Sequence, residues 1–201
     1  MDTFNDSAFF DKAHPLNESC LHEMEQFRLH QHLPYRTYVK IRLEFLKSKP
    51  NSALHAEFLQ GFKPRIAVFA GSFNPFHKGH YNVLQKAERI FDKVIIAIGQ
   101  NPAKDERTWE IPKSIQNRQI EHYNSLLTDL LTAVGDDPVL IRGLRNSTDF
   151  QYEQNQYRYM QELMPNINIV NIYCDKEFEH ISSSGIRTLE KFNKHQKYLL
   201  E

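Results

Sequence analysis

Residues 65–80 read RIAVFAGSFNPFHKGH, and this stretch decides the fold. The run Ile66–Ala70 is continuously apolar, as expected of a strand buried on both faces, and it ends in Gly-Ser-Phe-Asn-Pro. Directly afterwards, within Gly79–Phe91, the residues Val83, Leu84, Ala87, Ile90 and Phe91 fall at helical intervals. A buried strand, a turn and an amphipathic helix in succession open a βα unit, whose crossover is right-handed.

Working outward, the alternation repeats. Lys93–Gln100 is β-branched and continuous, predicting a second buried strand. Helical character follows over Lys113–Thr132, then a short strand at Val139–Arg142. Thr148–Leu163 predicts a long helix capped by Ser147 or Thr148, Ile167–Tyr173 alternates like a strand, and Ser183–Asn193 reads as a helix. Residues 63–201 therefore predict an α/β fold, a Rossmann-like parallel sheet with helices on both faces. Residues 1–62 have another character and predict a helical N-terminal extension. One helix there begins after Asn17 and carries Leu21, Met24, Phe27 and Leu29. The other runs over Tyr35–Lys47, bracketed by Pro34 and Pro50. The extension is expected to pack on the main domain or on another subunit. His22, His30 and His32 within it fit a solvated helix surface better than a metal site.

Composition narrows the function. The 201 residues carry 25 Lys plus Arg against 25 Asp plus Glu, so no chain-wide basic field exists for nucleic acid. The longest apolar runs, Ile66–Ala70 and Val94–Ile98, fall far short of the ~20 residues that span a bilayer. The N-terminal MDTFNDSAFFDKAH lacks a basic, apolar, small-residue leader pattern. Cys20 and Cys174 make neither a disulfide framework nor a metal spacing. These features predict a cytoplasmic protein without nucleic-acid or membrane partners.

Ligands of such sheets bind beyond the carboxyl ends of the strands, and four polar clusters fall there. In the first, Gly71 is expected to let the backbone approach a ligand closely, and Gly79 and His80 stand at a helix start, where free N–H groups attract phosphate. His77 and His80 share one helix face; a phosphate-contacting pair, a metal pair and plain capping histidines all fit this spacing, but no third ligand lies nearby to complete a zinc site. The second cluster, Gly99–Lys104, offers Lys104 as a flexible point charge. The third, IRGLR over 141–145, projects Arg142 and Arg145 from what reads as one short turn curved at Gly143, suited to a polyphosphate or to structural ion pairs. The fourth, Ile181–Arg187, brings Ser182, Ser183 and Ser184 to a helix start, as caps or as phosphate donors.

Together these words, GSFNP-x-HxGH, a downstream Lys, IRGLR followed by DFQYE at 149–153, and ISSS-x-IR, resemble the HxGH-motif nucleotidylyltransferase superfamily, most closely its phosphopantetheine adenylyltransferases. The resemblance covers roughly residues 65–190. It implies transfer of AMP from ATP, with magnesium, to 4′-phosphopantetheine, giving dephospho-coenzyme A and pyrophosphate by direct in-line attack, with no covalent enzyme intermediate. It implies catalytic roles for His80, Lys104 and Arg145. It implies an ATP site of Ser72, Phe73, His77, His80, Gly143, Leu144, Arg145, Glu153, Phe178, Ile181, Ser182, Ser183 and Ser184. It implies acceptor contacts from Ser72, Lys104, Thr128 and Arg142, no protein metal site, and a homo-oligomer. The sequence departs from the pattern at Asn74, where Asp is usual, and at Gln156 and Met160, which replace Leu and Asn in the helix lining the acceptor pocket. Two other readings stay open at this point: the same chemistry on another phosphorylated acceptor, such as nicotinate or nicotinamide mononucleotide, and a catalytically silent nucleotide-binding protein.

Overall fold

The computed structural model describes residues 18–47, 55–100, 110–135 and 137–201, with residues 55–57 described by backbone alone. The chain divides into two compact units, Met1–Pro64 and Arg65–Glu201.

The first unit contains α1 (Glu18–His30), α2 (Tyr35–Lys47) and α3 (His55–Gly61). The first two match the pattern read from sequence; α3 was not anticipated, because seven residues are too few to show a helical period. Met24, Ile41, Phe45 and Leu59 close a small core, with Phe45 and Phe58 tilted at 5.3 Å between ring centroids. No helix among the described residues is long and apolar enough to cross a membrane.

The second unit runs β1 (Ile66–Gly71), α4 (Lys78–Ile90), β2 (Lys93–Gly99), β3 (Ile120–Tyr123), α5 (Leu127–Val134), β4 (Val139–Leu144), α6 (Ser147–Leu163), β5 (Asn168–Tyr173) and α7 (Ser183–Glu190). All strand pairs are parallel, in the order β3-β2-β1-β4-β5. Strand alternation sorts the core into two faces. Ala67, Phe69, Val94, Ile96 and Ile141 meet Val83, Leu84 and Ala87 of α4. Val68, Ala70, Ile95, Ala97 and Leu140 meet Leu131 of α5 and Met160 of α6 on the other face. Leu84, Ile96, Leu140 and Ile141 are wholly enclosed, and burying each such side chain contributes about 1.5–3 kcal/mol.

The helix expected over 113–132 is a correction. It resolves into a short 3-10 turn (Lys113–Ile115), the edge strand β3, and α5. β3 is clamped to β2 at both ends, where Ile96 N–H donates to Gln119 O at 3.0 Å and Gln100 N–H to Tyr123 O at 2.8 Å. The cap of α6 is also corrected: Asn146, not Ser147 or Thr148, is the N-cap, its side chain accepting from Asp149 N at 3.0 Å.

Because β1 sends its chain to β2 on one side while β4 joins it on the other, the strand order reverses between β1 and β4. A crevice opens at the carboxyl ends of such strands.

Candidate active site

A cavity of about 530 Å³ occupies that crevice, a size suited to a small-molecule ligand. It is lined by Gly71, Ser72 and Phe73 at the end of β1 and in its turn, by His77 and His80 at the start of α4, by Arg142, Gly143 and Leu144 of β4 with Arg145 just after it, by Glu153 of α6, and by Ser182, Ser183 and Ser184 at the start of α7. The four strand-end segments singled out in sequence differ in what can be said of them. Three converge here; of the remaining one, Gly99–Lys104, residues 101–104 lie outside the described residues, Lys104 among them.

Phe73 holds the turn after β1. It adopts a left-handed φ of 42°, a conformation that costs a non-glycine residue about 1 kcal/mol or more. Its ring offsets this by packing 4.9 Å from Phe69, 5.1 Å from Phe76 and 4.9 Å from His80. Gly71 makes room for that packing: a Cβ there would sit 2.9 Å from the Phe73 ring.

His77 and His80 form a reciprocal cap on α4. His80 N–H donates to His77 Nδ1 and His77 N–H to His80 Nδ1, each at 3.3 Å, with the rings stacked at 3.6 Å. The helix-start N–H of His80, expected to face phosphate, is therefore taken by a side chain. Since both Nδ1 atoms accept, each neutral ring carries its proton on Nε2, which makes His80 a donor from that atom. Burial, and next the positive Arg145, push His77 down to about 4. Burial, then His77 and Arg145, hold His80 well below the ordinary 6.5. Both rings are neutral at pH 7.

The two arginines differ from the single turn anticipated. Arg142 lies within β4, and Gly143 does not curve the chain; it stays in the strand, where a Cβ would come 3.2 Å from Val83 of α4. Arg142 donates from Nε and Nη2 to the two carboxylate oxygens of Glu153, both at 2.6 Å, and from Nη1 to Ala70 O at 2.9 Å. Arg145 is grasped by Asp149 through its backbone N–H at 2.9 Å, Nε at 2.8 Å and Nη2 at 2.8 Å, and its Nη1 reaches Ile181 O at 3.4 Å. Burial drives the Asp149 carboxyl up, and the bonds from Arg145 outweigh it, leaving the group below the usual carboxylate range.

The α7 serines divide their work. Ser182 is the N-cap, accepting from Gly185 N at 3.1 Å, while Ser183 donates to Pro75 O at 3.0 Å and Arg187 to Asn74 O, so α7 ties down the GSFNP turn. Three named residues stand off the cavity wall: Phe178 packs on the core cluster that includes Val83 and Leu84, Ile181 is buried, and Thr128 is buried in α5. Thr148, Asp149, Tyr152, Cys174 and Arg187 line it without having been singled out as site residues. Asp149 was legible, four residues after Arg145 on a helical stretch; Cys174 gave no signal.

Asp149 and Glu153, the carboxylates on the cavity wall, are both bound to arginine, and no cluster of three metal-ligating residues occurs among the described residues. A divalent cation at this site would have to be held by ligands other than free wall carboxylates.

Comparison with known proteins gives these findings. The family model described as Cytidylyltransferase-like matches residues 68–189. The chain is 35% identical to the phosphopantetheine adenylyltransferase of Mycoplasma capricolum over 139 residues, 65% of this chain and 99% of that protein. It is 33% identical to the Levilactobacillus brevis phosphopantetheine adenylyltransferase over 144 residues, 67% of this chain and 89% of the other. It is 36% identical to that of Cytophaga hutchinsonii over 138 residues, 64% of this chain and 91% of the other.

Proposed function

Because the chain belongs to the cytidylyltransferase-like family and matches phosphopantetheine adenylyltransferases along nearly their whole length, we propose that it transfers AMP from ATP to 4′-phosphopantetheine, releasing pyrophosphate and forming dephospho-coenzyme A. It is a nucleotidyltransferase. The observation that carries the reading is the meeting of Ser72, His80, Arg142, Arg145 and Ser183 around one cavity at the β1/β4 reversal.

The reaction needs no protein nucleophile. A phosphate oxygen of the acceptor attacks the α-phosphorus of ATP in line, the new P–O bond forms, and the bond to the pyrophosphate oxygen breaks. Rate then comes from placing the two phosphates and from stabilising the charge that grows between them. His80, neutral with its proton on Nε2, donates to the ATP phosphates. Arg145, aimed by Asp149, steadies the β- and γ-phosphates, and Ser182–Ser184 close the nucleotide side. Ser72 sits between the substrates with the Phe73 N–H beside it. Arg142 meets the acceptor phosphate together with Lys104. Magnesium bound to ATP would supply neutralisation of part of the triphosphate charge. Residues 63–201 carry the activity, and the enzyme works as a cytoplasmic homo-oligomer.

Pyrophosphate release measured against a panel of phosphorylated acceptors tests this. Turnover with 4′-phosphopantetheine and not with nicotinate or nicotinamide mononucleotide is the expected result. Turnover confined to another acceptor overturns the substrate assignment, and ATP binding without turnover overturns the enzyme.

A further inference from the structure

Residues 196–201 do something the reaction scheme above leaves unused. They leave a 3-10 turn at Gln196–Tyr198, in which Leu199 N–H donates to Gln196 O at 3.1 Å, and run back against the start of α4. Leu199 forms an antiparallel bridge with His77. Lys78, the residue between the two motif positions His77 and Gly79, donates from Nζ to Lys197 O at 2.7 Å. Leu200 packs on the core cluster that includes Phe73 and Phe76. Beyond it, the Glu201 main-chain oxygen accepts from Ser114 N at 3.3 Å, and Tyr198 stands edge-on to His180 at 5.8 Å. One short segment thus touches the HxGH turn, the 3-10 turn at Lys113–Ile115, and the stretch leading into α7.

The HxGH turn has reason to need such support. His77 must hold an extended backbone, φ −137° and ψ 173°, for its ring to cap α4, and an extended residue is what a β-bridge stabilises. The reciprocal His77–His80 bonds are at the long end of the hydrogen-bond range, so besides the helical bond from Tyr81 N–H to His77 O at 3.0 Å the first turn of α4 has only weak fastening of its own. Helix ends are where fraying begins. Lys78, meanwhile, is drawn outward to a carbonyl.

We propose that residues 196–201 are a positioning strap: by bridging His77 and tethering Lys78 they fix the HxGH turn so that His80 presents its Nε2–H to the reacting phosphates. The proposal rests on the adenylyl-transfer reading for the role of His80, but the geometry it asserts is independent of the acceptor.

The test uses the full chain, a chain ending at Gln196, and Lys78→Met with Lys78→Arg as its conservative counterpart. Turnover is followed with MgATP and 4′-phosphopantetheine below each protein's Tm, and the His80 ring tautomer by ¹⁵N NMR. The shortened chain is expected to lose on the order of tenfold in kcat with KM for ATP changed less than threefold, as befits a group that acts on positioning rather than binding. Lys78→Met should lose about threefold in kcat and Lys78→Arg should recover it. His80 should pass from a single Nε2–H tautomer to a mixture in the shortened chain and in Lys78→Met. A shortened chain with wild-type kcat and an unmixed tautomer overturns the strap. If that chain does not fold, identical kcat and tautomer in wild type, Lys78→Met and Lys78→Arg overturn it instead. If wild type binds ATP but does not turn over phosphopantetheine, the functional reading fails while the tautomer comparison still decides the strap.

Discussion

The guanidinium of Arg142 and the carboxylate of Glu153 meet fork to fork, with both N···O distances at 2.6 Å, and the remaining Arg142 nitrogen reaches the Ala70 carbonyl. Glu153 therefore sets the plane of the Arg142 guanidinium, and on the proposed reading its effect on substrate is exerted through Arg142. Both side chains are largely enclosed, at 18% and 12% exposure, so the pair is screened less than a surface ion pair. Glu153→Gln keeps the shape and removes the charge. It should raise KM for the acceptor about tenfold, on the order of 1.4 kcal/mol, with KM for ATP moving less than threefold. Steady-state kinetics with each substrate varied will check this; a larger effect on ATP would give Glu153 a direct nucleotide contact.

His80→Ala removes the Nε2–H donor assigned to the ATP phosphates. Loss of one preorganised partner of the transition state lowers turnover by on the order of 10²–10³-fold. Pyrophosphate release should fall by that factor at saturating substrates, and an unchanged rate would take His80 out of the chemistry.

Asp149→Asn leaves Arg145 with weaker partners at Nε and Nη2 and frees its guanidinium to rotate. ATP affinity measured by calorimetry should drop about tenfold, and Arg145→Ala should drop it further, while KM for the acceptor stays within threefold. Equal losses on both substrates would show that the pair supports the whole cleft.

The histidine cap makes stability depend on pH in a definite direction. His77 sits at about 4 in the folded chain against an ordinary value of 6.5, so between those values the unfolded chain binds the extra proton. Stability is unaffected above pH 6.5 and falls as the pH drops toward 4, by about 3 kcal/mol for this group alone. His80 shifts in the same direction and adds to the loss. Chemical denaturation at a series of pH values should show this slope in wild type and a shallower one in His77→Thr, where a hydroxyl can cap without titrating.

The parts of this design that were legible in the sequence are those written in local pattern. The apolar run 66–70, the helical spacing of Val83, Leu84 and Ala87, and the strand that begins at Val139 all lie where their pattern puts them. β3 escaped because Ile120–Tyr123 is a four-residue edge strand holding Glu121 and His122, without a long apolar run to mark it. Gly143 was misread because its constraint is a side chain on another element, Val83. The pairing of Arg142 with Glu153, eleven residues on, depends on β4 and α6 meeting across one face of the sheet. A list of basic residues at strand ends says nothing of the carboxylates that will be folded against them.

The bond from Arg142 to the Ala70 carbonyl spans 72 residues of chain. On the ribosome, β1 and β2 emerge early, yet the opposite edge of β1 has no neighbour until β4 is made. At roughly 5–20 residues per second, translation leaves that apolar edge open for on the order of 4–14 s. The nucleotide crevice thus cannot exist on the nascent chain before its last third has been synthesised. In that interval Val68 and Phe69 present a bare strand edge, the kind of surface that chaperones shield and that aggregation exploits.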